Sequence, residues 1–167
     1  YYAKFGLWNE KPIKSENGTI IESQGRFIPR IIEPLCGQVN QDIAGTIQGM
    51  WFGGKPSKSE NIEFVGKGIA FLHYNIDPTQ GEISIGGDLT NNQPSIVTFN
   101  PKHAGLIDRE PSEVKADGKV YCYNSETWNV KGKILVQLID DHHIKAENQP
   151  GACSGSESFK NPFNYER

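Results

Sequence analysis

Histidine and carboxylate side chains that could bind a metal ion occur together in residues 140–143. This run reads Asp-Asp-His-His and offers two carboxylates and two imidazoles, the ligand types found at zinc sites. Neighbouring residues on a strand point to opposite faces, so His142 and His143 would not readily share one ion. We therefore predict a solvated hairpin tip between two apolar strands, and no metal site.

A second group with possible chemistry lies in residues 101–114, the longest irregular segment. It contains His103, Asp108, Arg109 and Glu110, together with a possible short helix. Loops on a rigid scaffold often carry function, and an acid and a base in one loop can support general acid–base catalysis. The spacing matches no specific catalytic arrangement, so we favour a salt-bridged surface loop.

His73 lies late in a strand-like run and is followed by Asn75 and Asp77. At the mouth of a barrel, such a polar group could orient a ligand. Strand ends commonly carry polar residues, so we favour a surface histidine that leads into the turn at Pro78. The ligand-binding interpretation stays open.

Cys153 lies in Gly-Ala-Cys-Ser-Gly, residues 151–155, which has the form of a nucleophile elbow. That motif requires a preceding strand and a following helix, and Pro150 does not fit this context. Cys36 and Cys153 both lie in turn-rich sequence, whereas Cys122 lies in a strand-like run. We predict a Cys36–Cys153 disulfide and a buried free thiol at Cys122, with three reduced thiols in a cytosolic protein as the alternative. A disulfide indicates an oxidising compartment, so we expect a periplasmic or extracellular protein.

Composition restricts the classes of protein to which the chain can belong. The chain has 167 residues, enough for one domain with a real core, and a formal net charge of -3. Its 17 basic and 20 acidic residues are interspersed and form no basic stripe, so we expect no nucleic-acid partner. No apolar run approaches the roughly 18 residues of a membrane span, so we expect no transmembrane segment.

These groups must be positioned by a series of short strands. Strand-like runs recur roughly every 10 to 15 residues from Gly45 onward, and glycine and proline mark the turns between them. About seven or eight such strands must close or pack on themselves, because open edges aggregate. We predict an all-β fold with a single antiparallel β-barrel. Residues 1–34 are predicted to form an extended N-terminal arm with a hairpin at Asn17-Gly18, and residues 35–167 the barrel domain with its C-terminal tail.

The run Gly49-Met50-Trp51 is similar to the Gly-x-Trp signature that opens the first barrel strand of lipocalins and other calycins. In that family the tryptophan closes the barrel floor, and an arginine from a late segment packs on its ring. The resemblance implies a calycin-like barrel in which Arg109 or Arg167 packs on Trp51.

Residues 36–39 and 45–52 also resemble a group of uncharacterised bacterial secreted proteins, as do residues 73–78 and 81–86. This resemblance implies an exported barrel and no particular activity.

We predict a non-enzymatic protein, without cofactor or metal, that binds a small apolar ligand inside the barrel. One alternative is a structural or interaction subunit, which docks on a protein partner or a second copy through its aromatic arm and tail. The other is a hydrolase- or isomerase-type enzyme that uses His73 or His103. The predicted ligand-binding residues are Trp51, Phe64, Phe71, His73, Tyr121 and Val136.

Overall fold

The chain folds into a single eight-stranded antiparallel sheet that nearly closes into a barrel. The computed structural model describes residues 13–14, 20–21, 41–53, 67–126 and 130–167. The predicted all-β class and antiparallel barrel are confirmed. The strands are β1 (Ile13–Lys14), β2 (Ile20–Ile21), β3 (Gly49–Phe52), β4 (Gly68–His73), β5 (Gly81–Ile85), β6 (Ser95–Phe99), β7 (Tyr121–Glu126), β8 (Lys131–Asp140), β9 (His143–Gln149) and β10 (Phe163–Glu166).

Two meanders make up the barrel, and β10 joins them. The strand order is β6-β5-β4-β3-β10-β9-β8-β7. Tyr165 on β10 pairs with Ile144 on β9, and Glu166 pairs with Phe52 on β3. The aromatic C-terminal segment is therefore a strand of the barrel itself.

Residues 101–110 bridge the remaining gap, between β6 and β7. Lys102 forms a parallel bridge with Arg109, and Ile107 forms one with Cys122. The N–H of Asp108 donates to the carbonyl oxygen of Cys122 at 2.8 Å. A 3-10 helix follows at Pro111–Glu113, and no helix in the described part is long and apolar enough to cross a membrane.

Aromatic side chains occupy the centre of the barrel. Trp51, Phe71, Tyr123 and Tyr165 are among the largest fully buried side chains. The ring of Tyr123 lies 5.7 Å from that of Phe71 and 4.9 Å from that of Phe99, so it spans the β6–β7 gap from the inside. The contact with Phe99 is edge-to-face and the contact with Phe71 is tilted, and aromatic contacts of this kind add to the stability that apolar burial provides.

The wall of the barrel follows the alternation expected of a half-buried strand. On β5, Ile83 and Ile85 are buried inside, whereas Glu82 and Ser84 are half-buried on the outer face. Successive side chains on a strand point to opposite faces, so the sequence pattern of β5 directly predicts this arrangement.

The disulfide joins Cys122 to Cys153, so the predicted Cys36–Cys153 pairing is wrong. Cys122 is fully buried as predicted, but it is not a free thiol. It alternates with the inward-pointing Tyr121 and Tyr123, and the chain after β9 crosses the outer face of β7. There the Cys153 N–H donates to Asn124 Oδ1 at 2.9 Å, and the two cysteine Cα atoms lie 5.8 Å apart.

The strands on either side of Asn17-Gly18 pair as predicted. In this two-stranded sheet Ile13 pairs with Ile21 and Lys14 with Ile20. Cys36 and Phe64 lie outside the described residues.

Candidate functional site

One end of the barrel, where β3 begins and β4 ends, is closed by main chain and by Trp51. The Ile47 N–H donates to the Val114 carbonyl oxygen at 3.2 Å, so the segments before β3 and before β7 meet across this end. The Trp51 indole N–H donates to the Ile47 carbonyl oxygen at 2.8 Å. We refer to this end, formed by Ile47, Trp51 and Val114, as the closed end.

Arg167, and not Arg109, stacks on Trp51. Its guanidinium carbon lies 4.1 Å from the centre of the indole ring, which is cation–π geometry. The same guanidinium donates to the carbonyl oxygens of Gln48 and Thr46, both at 3.2 Å. Arg167 therefore holds the closed end together, because its guanidinium stacks on Trp51 and donates to main-chain carbonyl oxygens of the segment before β3.

His73 is the last residue of β4, and it lies in line with Phe71 on the inward-facing row of that strand. Its Nδ1 lies 3.0 Å from the Pro78 carbonyl oxygen, which can only accept a hydrogen bond, so Nδ1 carries a proton. Its Nε2 lies 3.1 Å from Glu110 Oε1. With an acceptor at each ring nitrogen, the imidazolium form satisfies both contacts.

Glu110 and His73 shift each other's pKa in opposite directions. The hydrogen bond that His73 donates to Glu110 raises the pKa of His73 above 6.5, although partial burial opposes this effect. Burial raises the pKa of Glu110, which is only 5% exposed, but hydrogen bonds from His73 and Ser112 outweigh it. The net pKa of Glu110 is lowered from its usual value, so both pKa shifts favour the ionic form of the pair.

His103 belongs to a separate, exposed network. Its Nδ1 lies 2.8 Å from Glu113 Oε1, and Arg109 Nη2 lies 2.7 Å from the other oxygen of the same carboxylate. The His103 side chain is 74% exposed. The predicted salt-bridged surface loop is thus confirmed around His103.

Residues 140–143 form the exposed hairpin tip between β8 and β9, as predicted. His143 Nδ1 contacts Asp140 Oδ1 at 2.8 Å, whereas His142 Nδ1 contacts the Arg167 carbonyl oxygen at 3.2 Å. The two histidines therefore have different partners. Across the described ranges, no group of three or more His, Cys, Asp or Glu side chains could hold a metal ion.

Four of the predicted ligand-binding residues come together inside the barrel. Trp51, Phe71, Tyr121 and Val136 belong to one buried hydrophobic cluster. They pack against the other core side chains, and His73 lies at the closed end of the same interior.

A groove that sequence reasoning missed lies on the outer face of the same wall. Met50, Ala70 and Ser84 are register partners across β3, β4 and β5, so they share a face. That face is the outer one, because Met50 is 52% exposed. Together with Phe52, Gly68 and Gly86, these residues line a cavity of about 360 Å³, which the main chain of Trp51 and Ile69 also borders.

The groove has a floor of small residues between larger apolar walls. Small residues occupy alternate positions on β4, at Gly68 and Ala70, and on β5 and just beyond it, at Ser84 and Gly86. Met50 and Phe52 lie beside them. We refer to this feature, lined by Met50, Phe52, Gly68, Ala70, Ser84 and Gly86, as the outer groove. In the sequence, the outer groove corresponds to small residues at every second position, at Gly68 and Ala70 and again at Ser84 and Gly86.

A second cavity, of about 490 Å³, lies between the β7–β8 hairpin and residues 150–152. Asn124, Ser125 and Lys131 contribute polar groups to its lining. This cavity is more polar than the outer groove, so it is less suited to an apolar ligand.

No protein-family model, no curated protein and no solved structure matches this chain.

Proposed function

We propose that this protein binds a small apolar ligand in the outer groove, using the barrel as a rigid scaffold. The observation that carries the proposal is the apolar cavity of about 360 Å³ on the outer wall of β3–β5. Pockets for small molecules commonly have volumes of about 300–1,000 Å³ and mainly apolar linings. The proposal keeps the class of ligand predicted from sequence and moves its site from the interior to the wall.

The lining residues favour a neutral ligand. None of the described residues that line the outer groove carries a charge, and among them only Ser84 has a side-chain hydroxyl. A charged ligand would lose hydration there without gaining a partner. The ligand class is therefore a flat or slender apolar molecule with at most one polar group.

We further propose that the protein works in the periplasm or outside the cell and is calycin-like. The Cys122–Cys153 disulfide supports the compartment, because such bonds persist in oxidising environments. The Arg167–Trp51 stack supports the calycin-like relation, since that family pairs an arginine with the tryptophan of its first strand. An exported binding protein would meet its ligand in that compartment.

Two alternatives to ligand binding, an enzyme that uses His73 or His103 and a protein interface, differ in their support. Both ring nitrogens of His73 are engaged, so His73 is not free to act as a general base. His103 pairs with Glu113 through Nδ1 alone, but its side chain is 74% exposed and lines neither of the two cavities. A protein interface is the better second candidate, because Ile96 pairs with Ser84 beside the outer groove and is 56% exposed. Sedimentation of Ile96→Asp beside the wild type tests it: a self-associating protein would become monomeric.

Fluorescence titration with N-phenyl-1-naphthylamine, a neutral apolar probe, tests the ligand proposal. We expect saturable binding to the wild type. Ser84→Phe should weaken binding by about tenfold or more, because the ring fills the floor of the groove. Its matched control is Thr98→Phe, which places the same ring on the outer face of β6, where Thr98 is exposed.

The control should bind the probe like the wild type. Equal weakening in both variants would show that added aromatic surface, and not filling of the groove, changes the signal. Unchanged binding in Ser84→Phe, or no saturable binding to the wild type, would contradict the proposal.

A further inference from the structure

The hydroxyl of Tyr165 is buried and has no partner among the described residues. Tyr165 is 2% exposed, on β10, and among the described residues its oxygen makes no hydrogen bond. A buried polar group without a partner destabilises the fold, because it loses its hydrogen bonds to water and gains none in return. Phenylalanine would fill the same space without this cost, so the hydroxyl calls for an explanation.

Asn148 presents a second unpartnered oxygen near the same end of the barrel, opposite the closed end. Its side-chain nitrogen donates to the Leu89 carbonyl oxygen at 3.1 Å. That bond fixes the amide, and Oδ1 is buried with no partner in the described part of the chain. Because an amide oxygen only accepts, it requires a donor.

Asp88 supplies a carboxylate close to both groups. It precedes Leu89, and its Oδ2 lies 2.7 Å from the position that a Cβ on Gly53 would occupy. Gly53 follows Phe52, the register partner of Glu166, and is therefore beside Tyr165. The carboxylate accepts no hydrogen bond from the described residues.

The electrostatics agree with this placement. Burial raises the pKa of Asp88, and the charge of nearby Lys67 opposes the shift. Burial also raises the pKa of Tyr165, and the Asp88 carboxylate raises it further. A partly dehydrated carboxylate of this kind gains more from a bound cation than a fully hydrated one would.

We propose that Asp88, Asn148 and Tyr165 bind the ammonium group of a small organic amine at the end of the barrel opposite the closed end. An ammonium group carries three donors and a positive charge. Asn148 Oδ1 and the Asp88 carboxylate can only accept, and the Tyr165 oxygen can accept as well. A charge-assisted hydrogen bond to Asp88 is the strongest of the three contacts.

This amine site is independent of the outer groove. Tyr165 belongs to the interior cluster and Asp88 lies in the loop after β5, whereas Met50 and Ser84 lie on the outer face of the wall. Loss of one site therefore leaves the other intact, and the two proposals can fail separately.

Calorimetric titration with cyclohexylamine and cyclohexanol, which share size and shape, tests the proposal. At neutral pH the amine is a cation and the alcohol is neutral. We expect the wild type to bind the amine and not the alcohol. Asp88→Asn and Tyr165→Phe should each weaken amine binding by about tenfold, because each removes a partner of the ammonium group.

Measurements on two variants separate an effect on amine binding from an effect on the fold. Tyr165→Phe should keep or raise the melting temperature of the wild type, since the hydroxyl has no partner to lose among the described residues. Tyr121→Phe is the matched control, because its hydroxyl bonds to Asp117 at 3.0 Å and lies away from the amine site. We expect it to bind the amine normally.

Equal affinity for the amine and the alcohol would overturn the proposal, as would binding of neither. Unchanged amine binding in Asp88→Asn would also overturn it. A large drop in the melting temperature of Tyr165→Phe would assign the hydroxyl a structural role and contradict its role in binding.

Discussion

The two ends of the barrel differ in how far their polar groups are engaged, although Gln48 Oε1 at the closed end also has no partner among the described residues. At the closed end, Arg167 spans several carbonyl oxygens, and His73 bonds both Pro78 and Glu110. At the other end, the oxygens of Tyr165 and Asn148 have no partner among the described residues. The outer groove lies on the wall next to this second end, where Phe52, Gly68 and Gly86 are found. The difference indicates that the closed end provides stability and that binding lies elsewhere.

The largest expected effect is on the closed end. Trp51→Ala should lower the free energy of unfolding by about 3–5 kcal/mol, because it removes a buried aromatic side chain from a packed core. Urea denaturation followed by circular dichroism measures the loss. The neighbouring Met50→Ala, on the outer face, should change stability by only about 0.5 kcal/mol. Equal losses in the two variants would contradict the division between inner core and outer groove.

The disulfide should contribute slightly less. Its cysteines are separated by 31 residues, so the double variant Cys122→Ser/Cys153→Ser should lose about 3–4 kcal/mol by the loop-entropy relation. Cys36→Ser is the control and should match the wild type in denaturation. If Cys36→Ser lost as much stability as the double variant, the Cys122–Cys153 pairing would be refuted.

The His73–Glu110 pair should contribute a pH-dependent amount. The pKa of His73 is raised, so its contribution to the free energy of unfolding is complete below pH 6.5. That contribution is lost as the pH rises through the pKa of His73 in the folded state. The pKa of Glu110 is lowered, so its contribution is complete above 4.5 and is lost as pH falls. His73→Gln should therefore lower the free energy of unfolding most between pH 4.5 and pH 6.5, by about 1–3 kcal/mol.

Denaturation of His73→Gln and the wild type across this pH range measures the effect. His103→Gln is a matched control, because it removes an exposed histidine from an ion pair. We expect a change of at most about 0.5 kcal/mol from this control. A cost of His73→Gln that is independent of pH would show that the pair is not ionic in the folded protein.

The parts of the structure that depend on local pattern could be predicted from the sequence. Ile83 and Ile85 alternate with polar residues, and this alone predicts a half-buried strand. Gly49-Met50-Trp51 located the tryptophan at the barrel floor, through its resemblance to calycins. The exposed tip at residues 140–143 followed from the opposite directions of adjacent side chains.

The contacts between distant segments could not be predicted in this way. Cys122 meets Cys153 because residues 151–153 cross the outer face of β7, and no local pattern specifies that path. His73 meets Glu110 because residues 101–110 fold back across the β6–β7 gap. The outer groove depends on register, since Ala70 and Ser84 become neighbours only when β4 and β5 align.

The most direct test of the outer groove uses its single methionine. The chain contains one methionine, Met50, so methyl-labelled protein gives one methyl resonance at the wall of the groove. Titration with N-phenyl-1-naphthylamine should shift this resonance and saturate at the concentration at which the fluorescence saturates. The shift should be absent in Ser84→Phe. A resonance that does not move while the fluorescence saturates would place the ligand elsewhere and contradict the proposed function.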